Sequence, residues 1–379
     1  MAKGTMRERT PGVWLLRAYA GRDRTGRPVQ IARTIRGGKR AAQTALAALV
    51  TEVEERGMSG SFDGRMTVGQ LLDRWLEYLT PIRQPTTIQG YRVNVRRVKS
   101  ALGSVRLSKL TTRHLDETYR MWLGDGLSPG TVRTSHGVLA AALHQAVRWG
   151  VVAKAVTDSA SPPSVVHDVQ EATDPDVVRK LVSAAEERYP VLAVTIALAA
   201  ITGCRRGELC GLRWCDVDTD KSVLRIERAI RHGLDRKELV VGPTKTRQRR
   251  TIALDPLGLA VLGSHRMKAE NLAKTVGAKL SEDAYILSLD VVGREPMRPD
   301  TITEEFRQLC KQLGVRLRFH DLRHFTATQL IGAGVDVRTV AGRLGHSDPS
   351  VTLRIYANAI EQRDREAAAL LGAIVVTGQ

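Results

Sequence analysis

The 379-residue chain has only 4 cysteines, Cys204, Cys210, Cys215 and Cys310, and no two of them form a C-x-x-C pair. Three of them crowd one short segment, so neither a disulfide framework nor a zinc knuckle fits. Long apolar runs are missing too. The longest, Val191 to Ile201, falls far short of the roughly 20 residues a membrane-spanning helix needs. The opening MAKGTMRERT carries charges and no apolar h-region, so no secretory signal is expected. No internal repeat, low-complexity tract or clustered set of carboxylate or cysteine ligands stands out. The expectation is a cytoplasmic protein with reduced thiols, no membrane contact, no metal and no cofactor.

Acidic charge is also short: Lys and Arg number 58 against 40 Asp and Glu, a net +18. A surplus of that size points to a polyanionic partner, and nucleic acid is the commonest. A merely basic surface is the alternative, but here the excess is uneven. Residues 1–40 hold 11 Lys/Arg against 2 Asp/Glu, residues 66–157 hold 13 against 5, and residues 158–379 hold 32 against 29. That distribution suits phosphate-gripping modules placed ahead of a more balanced enzymatic one.

Three segments follow, with a hydrophobic content of 42% that is ample for cores. Residues 1–60 read as two strands, Val13–Tyr19 and Val29–Ile35, then a helix with Ala42, Leu46, Leu49 and Val53 on one face. The glycine-rich link Gly57–Gly64 ends this segment. Residues 66–157 read as helical throughout. Thr67 caps Val68–Leu79, Thr86/Thr87 cap Ile88–Leu102, and helices near Thr112–Leu123 and Ser128–Trp149 complete the set. Arg92, Arg96, Arg97 and Lys99 give the second helix a basic flank. A soft stretch, Thr157–Ser164, precedes residues 170–379, which mix helix and strand. Helices are expected at Pro175–Arg188, Val191–Ile201, Thr301–Leu313 and from Leu322 to the tail. Strands are expected at Ser222–Ile230, Glu238–Val241 and Arg249–Leu254.

Four short motifs in the last segment bear chemistry. In Thr202-Gly203-Cys204-Arg205-Arg206-Gly207-Glu208, the glycine stop should leave backbone amides and Arg205 facing one point, an anion seat, with Glu208 structural, orienting the arginine helix. His320-Asp321-Leu322-Arg323-His324 puts two histidines and an arginine within one helical turn. That spacing admits a phosphate site or a metal site. The metal-protease pattern needs Glu after the first histidine. Here Asp321 stands there and Arg323 lies inside the pair, and a guanidinium beside a dication is unfavourable. Lys245 lies between two strands and alone would pass as a solvated turn residue. Leu344-Gly345-His346 is followed ten residues later by Tyr356.

Taken together, Arg205 in T-G-x-R, Lys245 in a β-hairpin, His320 and Arg323 in H-x-L-R-H, His346 in L-G-H and then Tyr356 resemble the tyrosine recombinase family in order and spacing. The resemblance implies a multidomain fold. Residues 1–60 would be a small α+β arm-type DNA-binding domain, residues 66–157 an all-α core-site DNA-binding domain, and residues 170–379 a mainly α (α+β) catalytic domain. It implies a site-specific recombinase, or integrase, of phage or mobile-element type that cleaves and rejoins DNA through a 3′-phosphotyrosine. A type IB topoisomerase-like enzyme shares that chemistry without site specificity and is the alternative. By resemblance Tyr356 is the nucleophile, and Arg205, Arg323 and His346 bind the phosphate. His320 assists proton removal, and Lys245 protonates the departing oxygen. The implied partners are double-stranded DNA at attachment sites, a tetramer of the chain on that DNA, a host DNA-bending factor and an excision accessory protein. The apolar tail Ala367–Val376 would dock on a neighbouring protomer. Cys204 stands where the family usually has a larger apolar residue, and the Asn-Pro that usually closes the second domain is absent near Lys154–Val156.

Overall fold

Strand and helix periodicities decide most of the architecture. The computed structural model describes residues 4–22, 28–56, 65–165, 173–235, 238–244 and 249–346, together with Ala368. The chain divides into two compact units, Met1–Val166 and His167–Gln379.

The first unit opens with an antiparallel meander of three strands, β1 (Gly4–Thr10), β2 (Val13–Arg22) and β3 (Pro28–Arg36), followed by helix α1 (Lys39–Arg56). Trp14, Leu16 and Ala18 alternate along β2 and face Ala42, Leu49 and Val53 of α1, which makes a small core of its own. Strand β1 is an addition to the two expected. Its sequence GTMRERT puts little but Met6 on the core, because it is a largely exposed edge strand.

Four helices follow: α2 (Val68–Leu79), α3 (Pro85–Leu102), α4 (Thr112–Gly124) and α5 (Pro129–Arg148). Thr67 caps α2 through a capping box with Gln70. Helix α3 starts earlier than the expected Thr86/Thr87 cap, at Pro85, because a proline in the first turn is already set for helix and loses no hydrogen bond. Leu71, Leu72, Trp75, Ile88, Leu115 and Leu139 close a second, separate core. Of the basic flank on α3, Lys99 pairs with Asp73 at 2.7 Å and Arg97 donates to Asn94 and Ser135. Arg92 and Arg96 are exposed.

The second unit begins with α6 (Pro175–Arg188), α7 (Pro190–Thr202) and the short α8 (Arg206–Cys210). Strands β4 (Val217–Asp218), β5 (Val223–Ile226), β6 (Arg228–His232), β7 (Leu239–Pro243) and β8 (Arg250–Ala253) come next. They form an antiparallel sheet β4-β5-β8 and a two-stranded ribbon β6-β7, so the run read as one strand, Ser222–Ile230, is split at Glu227 between two sheets. Helix α9 (Pro256–Thr275) is an addition to the expected helices. Asp255 caps it through the Gly258 amide. Helices α10 (Pro299–Gln312), α11 (Asp321–Gly332) and α12 (Val337–Leu344) complete the described part. The helix expected from Leu322 onward is therefore broken, and α12 starts afresh at an Asp336 cap. Leu181, Leu192, Ile196, Trp214, Ile252, Phe306 and Leu322 belong to one core under these elements. Burying each is worth about 1.5–3 kcal/mol.

Candidate active site

The apolar helix α7 ends at Gly203 with φ +64°, and a Cβ there would come within 2.3 Å of Leu344. Only glycine allows both that backbone turn and that approach of α12. The chain then turns so that Arg205 becomes the N-cap of α8. Two amides of the expected seat are taken within the motif: the Arg205 amide donates to Glu208 Oε2 at 3.0 Å and the Cys204 amide to Thr202 Oγ1 at 3.2 Å. The Arg205 guanidinium remains to face an anion. It is steadied by Glu208 Oε1 at 2.8 Å and the Gly345 carbonyl at 3.0 Å.

Arg323 comes from the first turn of α11 and is only 4% exposed. Its Nη1 donates to the Gly203 carbonyl at 2.6 Å, which ties α11 to the end of α7. Thr326, one turn further on, adds hydrogen bonds to the Ala199 and Ala200 carbonyls. Among the described residues Arg323 Nη2 is buried and has no hydrogen-bond partner. Leaving such a charged donor unmet is costly, so this atom is placed to take an acceptor such as a phosphate oxygen. Burial and then the nearby Arg205 charge pull the Arg323 pKa down to about 10, still protonated at neutral pH.

His346 follows Gly345, whose φ of +69° ends α12 and whose Cα lies against Arg250; a Cβ there would meet Arg250 Nη1 at 2.9 Å. Burial, then the charges of Arg323 and Arg205, pull the His346 pKa down to about 4. His320 caps α11 and its ring meets that of His324 edge-on, with centroids 5.1 Å apart. The residue as a whole is exposed. Burial of the ring, then His324 and Arg323, bring its pKa down to about 4. His324 is lowered as well, chiefly by burial. In the free protein these imidazoles are neutral and surround two fixed guanidinium charges.

The structure thus brings together Arg205, His320, Arg323 and His346, from segments more than a hundred residues apart. Lys245, Tyr356 and the tail Ala367–Val376 lie outside the described residues, apart from Ala368. Asp321, which occupies the place a metal-protease glutamate would take, is buried and paired with Arg318 at 3.0 Å. Among the described residues no group of three or more His, Cys, Asp or Glu could hold a metal ion. Cys204 is buried beneath the site, and burial pushes its thiol up.

One participant escapes the sequence motifs. Arg250 of β8 has a side chain only 9% exposed and pairs with Glu208 Oε2 at 2.7 Å. Its signal is the alternation Arg250, Ile252, Leu254, which puts an arginine on the inward face of a strand.

The family described as Phage integrase family matches residues 171–363, and the one described as Phage integrase, N-terminal SAM-like domain matches residues 67–123. A tyrosine recombinase XerC-like protein of Caldanaerobacter subterraneus subsp. tengcongensis is 25% identical over 332 residues, 82% of this chain and 84% of that one. The integrase of Mycobacterium phage L5 is 27% identical over 295 residues, 74% of this chain and 72% of that one. Among solved structures, the Tn1549 transposon integrase in complex with transposon right-end DNA superposes with a TM-score of 0.68 at 21% identity, covering 80% of this chain and 100% of that chain. A lambda integrase tetramer bound to a Holliday junction gives a TM-score of 0.61 at 19% identity, covering 92% and 94%. The structural likenesses establish the fold. The matched families and relatives support site-specific recombination and not the topoisomerase-like alternative.

Proposed function

The chain belongs to the phage integrase family and is a site-specific recombinase of the tyrosine type, and we propose that Tyr356 is its nucleophile, working on a phosphate held by Arg205, Arg323 and His346. The observation that carries this reading is the buried, unmet Nη2 of Arg323 beside Arg205. Two guanidinium groups fixed in a low-dielectric site stabilise the charge that builds on a pentavalent phosphorane more than that on a ground-state diester. The Tyr356 oxygen attacks phosphorus, the bond to the 5′-oxygen breaks, and Lys245 supplies the proton to that leaving oxygen. The product is a 3′-phosphotyrosine and a free 5′-hydroxyl. Attack by a 5′-hydroxyl reverses the step, so rejoining needs no external energy. His320 accepts the Tyr356 proton, and His346 donates to a non-bridging oxygen. Their low pKa values belong to the free site. A bound phosphodiester adds negative charge and raises both.

The substrate in this reading is double-stranded DNA at attachment sites. Residues 1–60, 66–157 and 170–379 act as arm-binding, core-binding and catalytic parts, and four protomers, each supplying one Tyr356, meet on two duplexes. A host DNA-bending factor and an excision accessory protein are further partners. The test is a denaturing gel with a nicked suicide duplex. Wild type should give a covalent protein–DNA band and Tyr356→Phe none, with half-site binding retained. A covalent band that persists in Tyr356→Phe removes Tyr356 from this role.

A further inference from the structure

Arg250 belongs to none of the motifs above, yet it touches two stretches that carry them. Its Nη2 bonds Glu208 Oε2 at 2.7 Å and lies 3.6 Å from Cys204 Sγ. Its Nε donates to the Arg343 carbonyl at 2.8 Å. Its Nη1 is buried against Gly345 without a hydrogen-bond partner among the described residues. Arg343 in turn donates to the Ile201 and Ala253 carbonyls at 3.0 and 3.2 Å, so the end of α12 is stapled to α7 and β8. The other carboxylate oxygen of Glu208, 2.8 Å from Arg205, completes a chain Arg250–Glu208–Arg205.

We propose that Arg250 is a positioning residue for strand cleavage, holding Glu208 as the anion that aligns Arg205 and fixing the turn that presents His346. The inference rests on the reading that Arg205 and His346 meet the scissile phosphate. Its physical basis is the burial of Glu208, which is 1% exposed. Burial alone drives a carboxyl upward, and here Arg250 first and Arg205 second hold it below its ordinary value. Arg323, Arg231 and Cys204 are the other titratable groups whose charge couples to it. Without Arg250, the carboxyl loses its stronger cation and takes up a proton at higher pH. A neutral Glu208 holds Arg205 with a weaker, uncharged bond.

The experiment measures single-turnover cleavage of a suicide half-site by wild type and Arg250→Ala from pH 6 to 8.5, at saturating DNA, alongside half-site affinity and Tm. The expected deficit of Arg250→Ala is about tenfold larger at pH 6 than at pH 8.5, as a raised carboxyl pKa requires, with affinity changed less than about threefold. Arg250→Lys, which keeps the charge but not the forked geometry, should show a deficit that does not vary with pH. If Arg250→Ala fails to fold, Arg250→Lys combined with Glu208→Gln carries the test, because the double variant should be no slower than Glu208→Gln alone. A pH-independent deficit in Arg250→Ala, or additive losses in the double variant, overturns the inference alone. Wild type that forms no covalent complex overturns the underlying reading, and the inference with it.

Discussion

On α3 of the first unit Arg92 and Arg96 stand exposed, whereas in the second unit Arg323 and Arg250 are buried and held by carbonyls and Glu208. The first unit has most of the excess charge, yet the second, close to neutral by count, contains the guanidinium groups with unmet buried donors. Exposed cations give affinity that salt screens, because each acts by releasing counterions from phosphate. Buried cations gain little affinity for their desolvation cost, but they act strongly on charge that develops inside the site. In the proposed reading, charge counted along the chain marks where DNA is held, and charge counted by burial marks where it is cut.

The largest effect expected from this contrast is at Arg323. Arg323→Ala should slow covalent-complex formation by about 100-fold to 1000-fold, the range typical of removing one donor to a developing oxyanion. Half-site affinity should change little. Arg323→Lys keeps a charge but cannot serve both the Gly203 carbonyl and a phosphate oxygen, so it should recover little of the rate. Single-turnover cleavage at saturating DNA is the measurement, and a loss confined to affinity would place Arg323 with the surface arginines.

A smaller effect is expected in the first unit. Replacing Arg92 and Arg96 together by alanine should weaken half-site binding and reduce the slope of log affinity against log salt by about 1.8, roughly 0.9 for each phosphate left without its arginine. Cleavage at saturating DNA and the Tm should stay as in wild type, since both side chains are exposed. A salt slope identical to wild type would show that this face of α3 does not meet phosphate.

The sequence made some of this legible because certain signals are local. Thr67 with Gln70, Pro175 and Pro129 mark helix starts wherever they occur, and the order Arg205, His320, Arg323, His346 is visible as motifs. Other features depend on distant packing. Arg250 is hidden among 58 basic residues, since only its place in phase with buried Ile252 and Leu254 marks it as internal. Helix α9 escapes because PLGLAVLGSHRMKAENLAKT mixes small and apolar residues without a clear stripe, although Asp255-Pro256 announces its start. The split between β5 and β6 falls at Glu227, in a run with no turn residue to signal it. The lowered pKa values of His320 and His346 are not legible at all, because they arise first from burial and then from charges, Arg205 and Arg323 among them, that distant segments bring beside them.

The smallest effect expected concerns acid. His346 is drawn down to about 4 by burial and by Arg323 and Arg205, and His324 is lowered chiefly by burial. An imidazole with a folded pKa below its unfolded value of about 6.5 takes up its proton first in the unfolded chain. Stability from these groups is therefore present above about pH 6.5 and is lost as the pH falls toward 4. His320 shares the direction, but its openness to solvent screens its contribution. In the first unit His136 is lowered, by burial and then Arg133, but it stands outside any such cluster of cations. The second unit should then lose more than the first between pH 7.5 and 5.5. A difference on the order of 1 kcal/mol would move its Tm by about 2–4 °C. Calorimetry of the full chain at the two pH values reads this, with the Trp214 signal assigning the transition. A short half-site duplex should reduce the shift, because the phosphate's charge raises the pKa of both His320 and His346. Equal shifts in the two units, or a larger one with DNA bound, would mean that the histidines do not sit against the phosphate-binding arginines as a neutral set.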